Sequence, residues 1–406
     1  MHAQCPLTPT LSPNGGEGWG EGACAGARAL CALCDEISTG SVDCATNKPM
    51  DPRPTAEIVP THTPALFAAA VRRAAELLRA GQVVALPTET VYGLAANAWD
   101  ACAVGRIFEI KGRPARNPII VHVAGVEMAG RCVRVWPELA QKLAAAFWPG
   151  PLTLVLPRAS AVPGVVTAGG DTVGVRWPSH PFIQAVIREC GFPLAAPSAN
   201  HSNQLSPTTA AHVREALGEQ IPLIVDGGPS QVGIESTVLD LTVQPPAVLR
   251  PGSIHAEALL AIAGEMALGA FGRPGPDDPE SGAAVGALRS PGQLEKHYSP
   301  RARLVVLRWS DDADLARQLA DLRLRPAGCR VLAYARIPSG VAVGGVSVIP
   351  HDAEAYARAF YAELHRCDAD GAECVIVEAL PEGPAWQGLA DRLRRAAGGA
   401  THVIGS

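Results

Sequence analysis

Short apolar runs alternate with segments of helical periodicity from residue 64 onward, and this alternation restricts the fold more than any other feature. The stretch "ALFAAAVRRAAELLRAG" (65–81) has apolar residues at helical spacing and ends in Gly81, and "QVVALPT" (82–88) after it is typical of a buried strand. Further strand-like runs lie at 118–124, 152–158, 172–178, 193–199, 223–228, 236–241 and 247–252, with helical stretches at 138–147, 181–190 and 208–217. Strands mixed with helices predict an α/β domain with a twisted mixed sheet, ending near residue 266.

A second, smaller α/β domain is predicted after a linker. Residues 269–300 are rich in Gly and Pro, as linkers are, but they end in "SPGQLEKHYSP" (290–300), which adds basic and aromatic side chains. Beyond them, strand-like and helical stretches alternate at 303–309, 311–324, 330–336, 346–350, 352–367, 373–380 and 384–397. The pattern predicts a larger domain at 57–266, a linker or lid at 267–301, and a doubly wound domain at 302–406.

The first 49 residues differ from the rest of the chain. The stretch "LTPTLSPNGGEGWGEG" (7–22) is rich in Gly and Pro, has no helical or strand period, and lacks the charged start and apolar centre of a signal peptide. We expect residues 1–56 to be a disordered leader, or translation to begin at Met50.

Composition excludes some classes of protein and argues against others. No uninterrupted apolar run reaches about 18 residues, so no transmembrane helix is expected. The net charge of -5 argues against coating by nucleic acid. Cys31 and Cys34 lack the second pair of a zinc site, and the six cysteines after Met50 are widely spaced, as in reduced cytosolic proteins. We therefore expect a cytoplasmic protein.

Polar side chains collect at the ends of the predicted strands of the larger domain. Lys111, Arg113 and Arg116 precede one strand, while "LPTETVYGLAANA" (86–98), predicted to turn at Gly93, carries hydroxyl groups after another. "APSANHSNQLSPT", "GIESTVLDL" and "VLRPG" are comparable. Loops at strand ends converge on one crevice in open α/β sheets, and Lys and Arg together suit a polyanion such as a nucleotide triphosphate.

Simpler explanations of these residues stay open at this point. An exposed basic cluster is often solvated surface, Thr88 and Thr90 could satisfy a turn, and residues 206–209 could cap a helix. The chain has no P-loop, nucleophile elbow or H-E-x-x-H motif. An enzyme with this sequence would therefore work by positioning and charge stabilisation.

The same segments resemble the YrdC-type threonylcarbamoyl-AMP synthases in their longer two-domain form. The matching text is "PTETVYGLAANA", "KGRPARNPIIVHV", "WPGPLTLVL", "DTVGVRWPSHP", "APSANHSNQLSPT", "DGGPSQVGIESTVLDL", "VLRPGSI" and "SPGQLEKHYSP". It covers residues 64–254 densely and the C-terminal part more loosely. The resemblance implies a YrdC-like sheet and a nucleotidyltransferase that makes threonylcarbamoyl-adenylate and pyrophosphate from L-threonine, bicarbonate and ATP. The product would serve a tRNA threonylcarbamoyl transferase complex that modifies adenosine 37.

The resemblance also implies roles for single residues, which we carry over motif by motif. The catalytic and nucleotide-holding set would be Lys111, Arg113, Ser198 and Asn200. Further ATP contacts would come from Thr172, Ser206, Arg250 and Tyr298, with Tyr298 closing over the site. Threonine would be held by Thr88, His122, Arg176 and Ser236. Mg²⁺ would arrive on the ATP phosphates, without a protein metal site.

Two other functions fit parts of the sequence. One is an RNA-binding or ribosome-assembly module, but the acidic net charge and 5% aromatic content argue against it, and we expect no stable nucleic-acid binding. The other is a carbamoyl-adenylating enzyme that uses carbamoyl phosphate. Such enzymes normally carry zinc-finger segments, and the required cysteine pattern does not occur here.

Overall fold

The computed structural model describes residues 55–264, 290–291 and 297–398, all within one compact unit, Arg53–Ser406. We call residues 55–264 the N-terminal lobe and residues 302–398 the C-terminal lobe. All but the last two residues of the predicted leader, and most of the predicted linker, lie outside the described residues. No helix in these ranges is both long and apolar enough to cross a membrane. None of the six cysteines described forms a disulfide.

Ten strands of the N-terminal lobe form one mixed sheet in the order β1-β8-β2-β3-β7-β4-β6-β5-β9-β10. The strands are β1 (Glu57–Pro60), β2 (Val84–Leu86), β3 (Gly93–Asn97), β4 (Val121–His122), β5 (Leu152–Pro157), β6 (Thr172–Arg176), β7 (Leu194–Ala195), β8 (Leu223–Asp226), β9 (Thr237–Asp240) and β10 (Ala247–Arg250). The helices are α1 (Pro64–Arg79), α2 (Ala101–Lys111), α3 (Val126–Cys132), α4 (Glu138–Phe147), α5 (Pro181–Cys190), α6 (Ala210–Leu217) and α7 (Ala256–Ala263). The predicted mixed α/β sheet is confirmed.

The turn predicted at Gly93 is wrong, because Gly93 begins strand β3. This strand pairs antiparallel with β2 and β7, so it lies inside the sheet. Its sequence is Gly-Leu-Ala-Ala-Asn, which has low intrinsic strand propensity. A side chain at Gly93 would lie 3.3 Å from the Cβ atom of Ala196, so the small residue allows the two chains to approach. Pairing with neighbours, rather than local preference, makes this segment a strand.

The C-terminal lobe is a doubly wound domain, as predicted. Its elements are β11 (Arg303–Leu307), α8 (Asp312–Asp321), β12 (Cys329–Ala333), β13 (Gly345–Val348), α9 (Ala353–Ala369), β14 (Cys374–Glu378) and α10 (Gln387–Ala396). The parallel sheet has the order β11-β14-β12-β13, with helices on both faces. Leu304 and Val306 pack on the side of α9 and α10, whereas Val305 and Leu307 pack on the side of α8.

The two lobes share a hydrophobic cluster. Val91, Leu205 and Ile234 of the N-terminal lobe pack with Tyr361 of α9 and Leu389 of α10. Glycines allow the backbones to come close at this interface. A Cβ atom at Gly233 would collide with the backbone of α9, and one at Gly388 would lie 2.8 Å from the carbonyl oxygen of Gly252. The C-terminal lobe is therefore packed directly against the loops that follow β8 and β10.

Candidate active site

Helix α2 ends in a way that buries two of the predicted cations. Gly112 adopts a left-handed conformation (φ 57°) and ends the helix between Lys111 and Arg113. The ammonium group of Lys111 donates to the carbonyl oxygens of Ser198 (2.6 Å) and Asn200. Burial lowers the pKa of Lys111 well below its usual value, and the neighbouring Arg113 adds to this effect. Lys111 thus fixes the loop after β7, where the predicted Ser198 and Asn200 lie.

The hydrogen bonds of Arg113 and of a third buried cation, Arg250, go mainly to neutral oxygens. Arg113 donates to the carbonyl oxygen (2.9 Å) and side-chain oxygen (2.8 Å) of Asn117. Burial lowers the pKa of Arg113 to about 10, so it stays charged at pH 7. Arg250, at the end of β10, donates to the carbonyl oxygen (3.0 Å) and hydroxyl (3.1 Å) of Ser236. Both guanidinium groups are available to an anion that competes with these neutral acceptors.

Arg176 lies at the end of β6 in a buried network with the loop after β2. It donates to a carboxylate oxygen of Glu89 (2.6 Å) and to the hydroxyl of Thr90 (3.0 Å). The Thr90 hydroxyl is in turn 2.9 Å from that of Thr88. Burial alone would raise the pKa of Glu89, but Arg176 and the Ser179 N–H group outweigh it and lower the pKa to about 2. Arg176 is therefore held rigidly, with its charge partly compensated.

His122, at the end of β4, is neutral at physiological pH. Burial and the nearby charge of Arg176 lower its pKa to about 3. Its Nδ1 atom is buried and has no hydrogen-bond partner among the described residues. A buried polar atom without a hydrogen-bond partner lowers the stability of the fold, and a ligand that bonded to Nδ1 would remove this cost.

A cavity of about 50 Å³ lies where these loops meet. It brings together eight of the twelve predicted site residues: Thr88, Arg113, His122, Arg176, Ser198, Ser236, Arg250 and Tyr298. The other four do not line it. Lys111 and Asn200 lie directly behind Ser198, Ser206 donates to Glu235 (2.5 Å), and Thr172 begins β6 opposite Pro157. Of residues 206–209, only Thr209 caps a helix, since its hydroxyl accepts from the backbone of His212.

Residues of the predicted linker also line this cavity. Pro291, His297 and Tyr298 all line it, and Tyr298 is 1% exposed. The His297 and Tyr298 rings are perpendicular, with centroids 3.9 Å apart. Burial lowers the pKa of His297 to about 3. The volume of this cavity is smaller than the several hundred Å³ that a small-molecule site usually has.

Sequence reasoning assigned no role to ten of the eighteen residues that line the cavity, among them the polar residues Thr90, Glu235 and His297. Glu235 adjoins the predicted Ser236 and His297 adjoins the predicted Tyr298, while Thr90 lies two positions after the predicted Thr88. Adjacency in the motif was therefore the available signal. The contacts that give Glu235 its partners come from far along the chain and leave no local pattern.

Two family models match the chain in succession. A model described as "Telomere recombination" matches residues 76–252, and one for the C-terminal domain of threonylcarbamoyl-AMP synthase matches residues 254–398. Together they cover both lobes.

Relatives that match over nearly their whole length belong to the same family as these models. The chain is 40% identical to the threonylcarbamoyl-AMP synthase of Pyrococcus abyssi over 81% of this chain and 94% of that protein. It is 39% identical to that of Bacillus subtilis over 81% of this chain and 93% of the relative. The crystal structure of P. abyssi Sua5 complexed with L-threonine superposes with a TM-score of 0.74 at 37% identity, covering 86% of this chain and 99% of that one. The chain thus belongs to the threonylcarbamoyl-AMP synthase family, in its two-domain form.

Proposed function

We propose that this protein combines L-threonine, bicarbonate and ATP into threonylcarbamoyl-adenylate and pyrophosphate, in the cytoplasm. The product would be the donor for N6-threonylcarbamoyladenosine at position 37 of tRNA, through a downstream tRNA threonylcarbamoyl transferase. The observation that carries the proposal is a single cavity lined both by Arg113 and Arg250 and by the Arg176 network. Cations suit the phosphates of ATP, and a neutral histidine beside hydroxyls and a guanidinium suits an amino acid.

Threonine would be held by groups that are already oriented. The carboxylate of threonine would accept from Arg176, whose position is fixed by Glu89 and Thr90. Thr88 and His122 would contact its polar atoms, and Ser236 lines the same cavity. The relative crystallised with L-threonine supports this part of the proposal. Preorganised partners reduce the entropy that is lost on binding.

The chemistry needs no covalent bond to the protein. The threonine amine would add to bicarbonate and form a carbamate with loss of water, and a carbamate oxygen would attack the α-phosphorus of ATP. The bond from that phosphorus to the pyrophosphate oxygen then breaks. Lys111, Arg113 and Arg250 would offset the negative charge on the transferred and leaving groups, which is the main task of a protein in such reactions.

Mg²⁺ fits this proposal as a companion of the nucleotide. Within the described residues, no group of three or more His, Cys, Asp or Glu side chains could hold a metal ion. Glu235, which lines the cavity, is bound by Arg392, and Glu89, which does not line it, is bound by Arg176. Phosphate oxygens would therefore be the principal ligands, and the ion would supply charge neutralisation when bound.

Replacing Lys111 tests the assignment. In Lys111→Ala, pyrophosphate release that depends on both threonine and bicarbonate should fall by roughly 10²–10³-fold, the usual cost of losing one preorganised charge-stabilising group. Lys142→Ala removes an exposed lysine paired with Glu138 and is the matched control, with unchanged activity expected. Undiminished release by Lys111→Ala in a folded protein would contradict the proposed site.

A further inference from the structure

Arg392 of the C-terminal lobe does not line the cavity, but it binds two loops that do. Arg392 of α10 is completely buried. Its Nε atom donates to a carboxylate oxygen of Glu235 (2.8 Å), Nη2 to the carbonyl oxygen of Glu235 (3.1 Å), and Nη1 to that of Pro251 (2.6 Å). Glu235 and Pro251 directly adjoin Ser236 and Arg250, so a single guanidinium group joins the two loops that carry these cavity residues.

Glu235 is an acid in a place that should bind a polyanion. It lines the cavity itself and is 7% exposed. An uncompensated carboxylate there would repel phosphate and attract the nearby cations. Its charge is instead satisfied from the other side by Ser206 (2.5 Å), Tyr361 (3.2 Å) and Arg392. Two of these three donors, Tyr361 and Arg392, belong to the C-terminal lobe.

The electrostatics of Glu235 agree with this geometry. Burial by itself would raise the pKa of Glu235, but Arg392 and, to a smaller extent, Arg250 outweigh it, and the pKa is lowered. Glu235 is therefore ionised, and Arg392 is its principal counter-charge. Arg250 meanwhile donates to Ser236 rather than to Glu235.

The same guanidinium group also contacts the linker. The Cζ atom of Arg392 lies 5.5 Å from the centroid of the Tyr298 ring, within the range of a cation–π interaction. Tyr298 also packs near Tyr361, with ring centroids 6.1 Å apart. The residue that neutralises Glu235 thus also contacts an aromatic ring that lines the cavity.

We propose that Arg392 is a positioning residue, through which the C-terminal lobe neutralises Glu235 and keeps Arg250 free for the nucleotide. Without Arg392, the Glu235 carboxylate would draw Arg250 into an ion pair and leave negative charge at the phosphate site. This inference rests on the proposed function, since it takes Arg250 to be a contact of ATP. The C-terminal lobe would thereby contribute to ATP binding through Arg392.

Variants that remove the charge of Arg392 alone, or those of Arg392 and Glu235 together, distinguish neutralisation of Glu235 from a role in which Arg392 only holds the two lobes together. ATP binding to the full-length protein would be measured by calorimetry with Mg²⁺ and without threonine or bicarbonate, beside a thermal melt of each variant. Arg392→Gln should bind ATP at least tenfold more weakly, the loss expected when one charge-assisted hydrogen bond is withdrawn. The double variant Arg392→Gln/Glu235→Gln removes both charges of this pair and leaves Asp391 paired with Arg394 and Arg395 (3.0 Å each), so it should recover to within about threefold of the unmodified protein.

Two further variants keep the test decisive if Arg392→Gln does not fold. Arg392→Lys retains the charge but not the planar fork, so it should keep most of the ATP affinity even if it melts at a lower temperature. Glu235→Gln should bind ATP as tightly as the unmodified protein or more tightly. Arg330→Gln, which removes a partly exposed ion pair with Asp370 elsewhere in the C-terminal lobe, is the control.

The outcomes that overturn the proposal are distinct from those that overturn the proposed function. If the unmodified protein binds no ATP, the proposed function fails. If it binds ATP but folded Arg392→Gln binds equally well, Arg392 has no positioning role. A double variant as weak as Arg392→Gln, or a Glu235→Gln variant that is tenfold weaker than the unmodified protein, would likewise refute neutralisation.

Discussion

The buried ion pair of Glu89 and Arg176 should make the stability of the fold depend on pH in a specific range. The pKa of Glu89 is lowered from 4.5 to about 2, because Arg176 and the Ser179 N–H group outweigh the effect of burial. At about 1.4 kcal/mol for each pKa unit, ionised Glu89 contributes roughly 3 kcal/mol to folding at pH 7. Because the folded-state pKa is the lower one, this contribution is present above pH 4.5 and is lost as the pH falls toward 2.

The variant Glu89→Gln isolates this contribution, since Gln does not titrate. The free energy of urea unfolding would be measured for both proteins from pH 7 to pH 3. At pH 7 the variant should be less stable by about 3–5 kcal/mol, the usual cost of removing one partner of a buried pair. The difference should then shrink by about 2 kcal/mol between pH 5 and pH 3, as linkage requires for the pKa values above.

An exposed pair provides the control for this experiment. Glu138 pairs with Lys142 on the surface of α4, so Glu138→Gln should leave the stability nearly unchanged throughout the range. The reasoning is refuted if the difference between Glu89→Gln and the unmodified protein is the same at pH 5 and at pH 3. It is also refuted if that difference is below about 1 kcal/mol at pH 7, since a buried pair would then contribute no more than a surface one.

Two other predictions follow from the described geometry. Because burial and Arg176 lower the pKa of His122 to about 3, the pH profile of kcat/KM for threonine should show no inflection from His122 between pH 5.5 and 8.5. The variant His122→Ala should raise the KM for threonine about tenfold, because one hydrogen bond to threonine is lost. A profile that loses an inflection near 6.5 in the variant would contradict this. Gly388→Ala should destabilise the fold in urea by about 1–3 kcal/mol, because its Cβ atom would lie 2.8 Å from the carbonyl oxygen of Gly252. Gly105→Ala, whose Cβ atom would meet nothing within 4 Å inside α2, should instead be neutral or stabilising, and equal effects of the two changes would refute the packing argument.

Much of the fold could be predicted because the local signals and the tertiary structure agree. β5, for example, combines an apolar run with flanking prolines and is buried along almost its whole length. β3 could not be predicted, because its alanines have no preference for a strand and the pairing with β2 and β7 is not local. Strand propensity therefore identifies strands such as β5, but not strands such as β3 that form only through pairing with distant segments.

The site was predictable to the extent that strand-end loops converge. Thr88, Ser198 and Ser236 follow or precede different strands, and the sheet order brings them to one cavity. Thr172, predicted as an ATP contact, lies at the other end of β6 from Arg176 and does not line the cavity; its role stays a prediction. Glu235 and Arg392 are 157 positions apart in the sequence, and neither spacing nor periodicity could predict their contact.

Hydrogen bonds to neutral oxygens stabilise Lys111 and Arg113 in the interior of the N-terminal lobe. Lys111 and Arg113 donate to carbonyl oxygens of Ser198, Asn200 and Asn117, so each side chain is hydrogen-bonded although no acid among the described residues is paired with it. Carbonyl oxygens are neutral acceptors, and phosphate oxygens form stronger, charge-assisted bonds with the same donors. Under the proposed function, phosphates of ATP would replace some of these carbonyl groups as acceptors. The gain in free energy on binding would then be the difference between charge-assisted and neutral hydrogen bonds.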